Sequence, residues 1–163
     1  MFVKSLGAIM LILSGGLWGI SQSEKLKNKV RFCDEAAAMF RKTAIKVRFN
    51  NYEVLEIVRI LREECVDLIF LKNIDIESCM DFHCCWREAI EKTVPEGEER
   101  DLLIRFGCGF GTTDIEGQLQ LIAASEAEIG ELRKARYENY MKHGRVYRTV
   151  GMLFGLMTGI IFI

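Results

Sequence analysis

The segment FVKSLGAIMLILSGGLWGI, residues 2–20, contains a single charged side chain, Lys4. The last segment, VGMLFGLMTGIIFI at residues 150–163, contains none. A helix needs roughly 20 apolar residues to cross a bilayer at about 1.5 Å per residue. The first segment has that length, and the second approaches it if it begins at Val146 and Arg148 reaches back to the interface. The sequence therefore predicts transmembrane helices at residues 1–20 and 149–163.

The first segment also has features of a secretory signal peptide, namely a basic residue followed by an apolar stretch. However, no cleavage site with small residues at the required positions follows it, and Gly19-Ile20-Ser21 is a poor substitute. We therefore favour a helix that stays in the membrane. The C-terminal segment predicts a membrane anchor whether or not the first segment is cleaved.

Basic residues flank both apolar segments on the side of the intervening chain, and only Lys4 lies on the opposite side. They are Lys25, Lys27, Lys29, Arg31, Lys142, Arg145 and Arg148. The positive-inside rule places such residues in the cytoplasm. We therefore expect residues 21–148 to form a cytoplasmic domain and both termini to lie outside.

Glycines recur at four-residue spacing in both segments. They are Gly15 and Gly19 in the first segment, and Gly151, Gly155 and Gly159 in the second. This spacing places small residues on one helix face and lets a second backbone approach closely. We predict that these glycines pack membrane helices together, although glycine is also generally common in such helices.

Residues 21–148 read as helices, because proline occurs once, at Pro95, and no stretch shows sustained strand alternation. A seam of alternating four- and three-residue spacing runs from Leu26 to Val47, continuous with the first apolar segment. A second apolar stripe covers Val54 to Leu68, and a shorter helix is predicted over residues 77–92. The fold class is therefore all-α, a cytoplasmic helical bundle between two transmembrane helices.

Local signals predict where the remaining helices begin and end. Asn50 with Glu53, and Thr113 with Glu116, have the spacing of capping boxes. Pro95 is expected to open a helix, and a linker is predicted near residues 72–76. Further predicted features are Gly107, Gly109 and Gly111 at the end of the Pro95 helix, and a last helix from Asp114 into the second apolar segment.

The cysteines and histidines offer one alternative function. Cys79 and His83 lie one helical turn apart and could share a metal ion, but no C-x-x-C pair supplies further ligands. Six cysteines in a secreted protein would indicate disulfides, whereas a cytoplasmic domain is expected to keep thiols. We predict no metal, no cofactor and no enzymatic activity. The alternative is a membrane-anchored regulator that depends on a thiol or a metal.

Charge is distributed unevenly along the domain. Residues 24–48 carry eight basic and three acidic side chains, whereas residues 53–101 carry fourteen acidic and six basic ones. The acidic part is either a solvated face or a docking surface for a basic cytoplasmic partner. The residues predicted for docking are Glu63, Glu64, Asp67, Glu96, Glu98 and Glu99.

Three features together resemble the stage III sporulation protein AB family of endospore-forming bacteria. One is the long amphipathic helix that follows the N-terminal span. Another is the run LLIRFG at residues 102–107 followed by GTTD at residues 111–114. The third is the ending, with Tyr147-Arg148, Gly151, Leu153 and Gly155.

The resemblance implies a scaffold in the complex that links the mother cell to the engulfed forespore. The family's helical domain is similar to the platform proteins of type II secretion and type IV pilus machines, which sit between a cytoplasmic ATPase and an envelope assembly. The implied partners are the sporulation ATPase of the same operon, protein AA, and the membrane and ring proteins encoded with it. The implied location is the mother-cell membrane around the forespore. A homo-oligomer is left open, and no nucleic-acid partner is expected.

Overall fold

The computed structural model describes residues 2–49, 53–75 and 81–162, without the side-chain surroundings of residues 2–9, 11–13, 148, 155–156 and 158–162. Over these ranges the chain forms six α-helices and no strand. The predicted all-α fold class is confirmed. The helices are α1 (Phe2–Phe49), α2 (Val54–Glu64), α3 (Ile69–Lys72), α4 (Phe82–Thr93), α5 (Glu98–Gly109) and α6 (Ile115–Phe162).

The first and last helices, α1 and α6, each contain 48 residues. As predicted, α1 runs without a break from the first apolar segment into the amphipathic seam, and α6 continues into the second segment. Within the described part of the chain, no helix combines the length and the apolar character needed to cross a membrane. The two transmembrane helices stay predictions.

The chain divides into two compact units. The first comprises residues 1–31 and 134–163, and the second comprises residues 32–133. The predicted domain boundaries, at residues 20/21 and 148/149, fall inside α1 and α6.

The second unit is built around one apolar core. The predicted seam of α1 faces this core, with Cys33, Phe40 and Val47 buried. The predicted stripe of α2 is buried as well, at Ile57, Val58 and Leu61 among others. The α1 stripe is confirmed, and the α2 stripe is confirmed as far as Leu61. Helix α2 ends at Glu64, so Cys65 and Leu68 are buried as predicted but lie beyond the helix.

Two differences from the predicted helices concern α4 and α3. The start of α4 is Phe82 and not residue 77, because the Asp81 carboxylate accepts the His83 amide and caps the helix. The short helix α3, next to the predicted linker, was not predicted. The Asn50 part of the first capping box lies outside the described residues, and Glu53 makes no side-chain cap bond.

The other two differences concern α5 and α6. Helix α5 begins at Glu98, three residues after Pro95, because Gly97 takes a φ of 151° that keeps the chain out of helical geometry. Helix α6 is capped by Asp114 and not by Thr113, since the Asp114 carboxylate accepts the Gly117 amide at 3.0 Å. Glu96 therefore precedes the first turn of α5, whereas Glu98 and Glu99 lie within it.

A tryptophan at the centre of the core joins α4 to α5. Trp86 is 1% exposed, and its indole nitrogen donates to the Leu103 carbonyl at 2.8 Å. The ring lies directly over Gly107, so that a Cβ at Gly107 would overlap it. Phe70 and Phe106 contact the same indole with centroid distances of 5.3 and 5.8 Å. Gly107 therefore serves close packing inside α5, and the predicted helix end falls at Gly109.

Replacing Gly107 by Ala is expected to lower the free energy of unfolding by about 1–3 kcal/mol, because the added methyl must displace the indole. Gly130→Ala is the matched control. A Cβ there has no neighbouring atom within 4 Å, so the change should stabilise α6 by about 0.5–1 kcal/mol. Chemical denaturation of the full chain measures both. Equal stability of the two variants would contradict the packing role of Gly107.

Candidate functional site

In the first unit, α1 and α6 approach closely at three of the glycines predicted for helix packing. A Cβ placed on Gly151 would lie 2.6 Å from the Gly15 carbonyl oxygen and 2.9 Å from the Gly19 Cα. These neighbours are backbone atoms, which cannot rotate away as a side chain can. Gly16, by contrast, has nothing within 4 Å of its Cβ direction. The contact therefore tolerates no side chain at Gly151.

A second contact shows the direction of the pair. The Cβ direction of Gly144 comes within 3.2 Å of the Ser23 hydroxyl oxygen, and Ser23 is buried. Moving forward along α1 from Gly19 to Ser23 thus moves backward along α6 from Gly151 to Gly144, so the helices run antiparallel. Gly155 and Gly159 also belong to α6, but their surroundings lie outside the described residues.

Replacing Gly151 by Ile is expected to separate α1 from α6, because the side chain would overlap the α1 backbone. The reporter is an engineered disulfide, Ser23→Cys with Gly144→Cys, at positions already close enough to form it. We expect the disulfide in the parent chain and in Gly16→Ile, and a loss of about fivefold to more than a hundredfold in Gly151→Ile, as expected for about 1–3 kcal/mol of overpacking. Undiminished disulfide formation in Gly151→Ile would show that the close contact is dispensable.

The six acidic residues predicted for docking lie in two separate stretches. Glu63, Glu64 and Asp67 are at the end of α2 and in the turn after it, whereas Glu96, Glu98 and Glu99 surround the start of α5. The Glu96 side chain is 95% exposed and lies 3.8 Å from the Arg100 guanidinium. Five of the six residues are exposed, and Glu99 is half-buried. These side chains are therefore accessible to a partner.

Glu64 has an additional role within the chain. Its carboxylate lies 3.0 Å from the Lys46 ammonium and 3.7 Å from that of Lys42, and both lysines belong to α1. The hydrogen bond from Lys46, with the charges of both lysines, lowers the pKa of the Glu64 carboxyl below its ordinary value. Glu64 therefore ties α2 to α1 whether or not a partner is bound.

Replacing Glu64 by Gln is expected to cost about 0.2–1 kcal/mol at neutral pH, the usual range for partly exposed ion pairs. Because the folded-state pKa is lowered, the stabilisation is present above the ordinary pKa of 4.5 and disappears as the pH falls through the lowered value. Denaturant midpoints measured between pH 7 and pH 3 should converge for the parent and the variant. Glu63→Gln is the control, because Glu63 makes no ion pair among the described residues. A pH-independent difference would contradict the pairing.

The cysteines differ from the prediction that all six are thiols, because Cys85 is disulfide-bonded, with its partner outside the described residues. Cys33, Cys65, Cys84 and Cys108 are thiols that take no part in a disulfide. Burial raises the pKa of the Cys65 thiol. The exposed Cys84 thiol donates to the Asp81 carboxylate at 3.2 Å, and this bond raises its pKa. Both of these thiols are therefore held in the protonated form.

His83 takes part in the packing of α4 on α5. Its Nδ1 lies 2.7 Å from the Gly107 carbonyl oxygen, which fixes the ring against α5. Cys79, its predicted partner for a metal, lies outside the described residues. Among the described residues, no group of three or more His, Cys, Asp or Glu side chains could hold a metal ion. His83 acts here as a link between two helices.

These features define an all-helical protein whose two long terminal helices pair closely through glycine and whose short helices pack on an apolar core to which both long helices contribute. The chain belongs to the stage III sporulation protein AB family, whose family model matches residues 4–163. The resemblance noted in the sequence is therefore confirmed. No curated protein and no solved structure matches the chain.

Proposed function

We propose that the chain is a non-enzymatic membrane platform of a sporulation complex between mother cell and forespore, where it couples a cytoplasmic ATPase to the envelope assembly. Family membership supports a role in sporulation. The observation that carries the finer proposal is the backbone contact of Gly151 with Gly15 and Gly19. These glycines belong to the most apolar segments of the chain, and such contacts are typical of associating membrane helices.

The length of the two terminal helices supports a platform. A helix of 48 residues is about 72 Å long at about 1.5 Å per residue. The hydrocarbon of a bilayer takes up about 30 Å of that length. Each helix is therefore long enough to cross a bilayer and also to supply residues to a cytoplasmic domain, as a platform requires.

The polar groups of the domain also support a structural role. The Trp86 indole and the His83 imidazole both contact backbone carbonyls of α5. Arg105 of the same helix pairs with Glu128 of α6. Side chains that often serve catalysis or ligand binding are here engaged in joining helices, as expected of a scaffold.

The proposed partner for the acidic stretches is the cytoplasmic sporulation ATPase. Each exposed ion pair contributes only about 0.2–1 kcal/mol, so several must act together. Such contacts are screened over about 8–10 Å at physiological salt. Binding should therefore weaken as ionic strength rises, and the exposed carboxylates around the start of α5 are the first candidates.

The test uses the full chain, extracted in detergent from the carbonate-washed membranes of sporulating cells. We expect the ATPase to co-purify, with recovery that falls as salt is raised. Reversing Glu96, Glu98 and Glu99 together to Lys should weaken binding between about threefold and a hundredfold, since three pairs are lost. The control reverses Glu53, Glu56 and Glu91, which are also exposed and change the net charge equally.

Three results would contradict the proposal. Release of the chain by the carbonate wash would exclude integral anchorage. Absence of the ATPase at every salt concentration would exclude the coupling role. Equal loss of binding in both triple variants would show that the acidic charge acts generally, without a defined docking surface.

A further inference from the structure

The two compact units of the chain carry opposite net charge. The first unit, residues 1–31 and 134–163, contains ten lysines and arginines but only two acidic residues, Glu24 and Glu138. The second unit contains twelve basic and twenty-one acidic residues. A separation of this kind gives the first unit a positive potential, which attracts an anionic partner. The most apolar segments of the chain belong to this same unit.

Five exposed cations of the first unit form a collar on the paired helices α1 and α6. They are Lys25, Lys27, Lys29, Lys142 and Arg145. The reference level is the close approach of Gly144 to the Ser23 hydroxyl oxygen. At about 1.5 Å per residue, the three lysines of α1 follow Ser23 by about 3, 6 and 9 Å, and the two cations of α6 lie within about 3 Å of Gly144. Because the helices run antiparallel, the collar occupies about 10 Å of their common length.

The collar extends around the helix pair and is not confined to one side of it. With about 100° of rotation per residue, Lys27 lies about 40° from the Ser23 direction, beside the contact with α6. Lys25 lies about 160° from that direction, on the opposite side of α1, and Lys142 lies about 160° from the Gly144 direction on α6. A folded partner would approach from one side, whereas a bilayer contacts a helix pair from all sides. The distribution of the cations therefore fits a lipid environment.

The collar keeps its charge within the described part of the chain. None of its five cations makes an ion pair with a described residue. Glu24 and Glu138, the two acidic residues of the unit, are also exposed and make no ion pair there. The collar and these two residues therefore present five positive charges and two negative ones to their surroundings.

The collar borders the segments for which we propose a membrane location. From Ser5 to Ser23, α1 carries no charge over about 28 Å, and α6 carries none after Arg148. The hydrocarbon of a bilayer is about 30 Å thick, and each headgroup layer adds roughly 5–8 Å. Long basic side chains can also reach along the helix to the headgroups. A collar of about 10 Å beside a charge-free stretch of this length therefore matches a headgroup layer beside hydrocarbon.

We propose that the collar binds the headgroups of anionic phospholipids. Lysine and arginine donate charge-assisted hydrogen bonds to phosphate oxygens. A headgroup with net negative charge is favoured over a zwitterionic one, because no choline cation offsets its phosphate. Inorganic phosphate has the same binding chemistry, but it supplies no hydrocarbon to the adjoining apolar segments. The inference rests on the proposed function in one respect, namely that these segments lie in a membrane.

The experiment uses the full chain reconstituted in bilayers that contain a small fraction of spin-labelled lipid. The electron spin resonance spectrum separates lipid immobilised against the protein from bulk lipid, and so compares the association of phosphatidylglycerol with that of phosphatidylcholine. Each cation near the headgroups is worth about fivefold, and only some of the neighbouring lipids meet one. We therefore expect phosphatidylglycerol to associate about twofold to fivefold more strongly, with a preference that decreases at high salt.

Two triple variants test whether the collar causes this preference. Replacing Lys25, Lys27 and Lys142 together by Gln should bring the ratio of the two association constants to between about one and two, because most of the collar charge is lost. Replacing the same three lysines by Arg should preserve the ratio, because the charge and the phosphate-binding donors are retained.

The matched control replaces Arg59, Arg62 and Lys72 by Gln. These residues are exposed in the second unit, and their loss changes the net charge equally. The lipid preference should remain in this control. Equal association of the two lipids with the parent chain would overturn the inference. A full preference in the Gln variant of the collar, or an equal loss in the control, would also overturn it.

Further outcomes would assign the collar to another ligand. Loss of the lipid preference on addition of inorganic phosphate at constant ionic strength would indicate a site for a free phosphate compound. Dimers in phosphatidylcholine bilayers that the Gln variant lacks, without any lipid preference, would indicate the acidic unit of a second copy. Absence of immobilised lipid of either kind would contradict the membrane location and with it the proposed function. Immobilised lipid without a preference would remove this inference alone.

Discussion

The contact of the Trp86 indole with the backbone of Gly107 is the constraint on which the second unit depends. The ring can approach the backbone of α5 only because position 107 has no side chain, and in this position its N–H donates to the Leu103 carbonyl. Phe70 and Phe106 also contact the indole. A large aromatic group is thus buried without leaving its one polar atom unpaired.

The first unit uses glycine for the same physical purpose in a different setting. There the glycine of one helix, Gly151, meets the backbone of another helix at Gly15 and Gly19. In a core the absence of a side chain makes room for a ring, whereas between long helices it makes room for a second backbone. Neither contact leaves room for a side chain on the glycine, since the neighbours are either a buried ring or main-chain atoms. Close steric fit therefore determines the packing in both the domain and its proposed anchor.

The long helices could be predicted from sequence because apolar spacing from Leu26 to Val47, and the absence of breakers, are local properties. The starts of α5 and α6 could not. Pro95 and Gly97 are alternative signals for the start of α5, and Thr113 and Asp114 are alternative caps for α6. Which of them acts depends on the backbone conformation of the folded chain. The four-residue glycine spacing did indicate Gly15, Gly19 and Gly151, which lie where α1 and α6 are in contact. The packing role of Gly107 under the indole could not be predicted, because it depends on a residue from another helix.

The burial of Trp86 has a spectroscopic consequence. The chain contains two tryptophans, and they belong to different units. Trp86 is enclosed in the core, whereas Trp18 of α1 is 54% exposed. The two indoles therefore give the protein a built-in pair of fluorophores with unlike surroundings. Emission from the first follows the packing of the helical core, and emission from the second follows whatever medium surrounds the terminal helices.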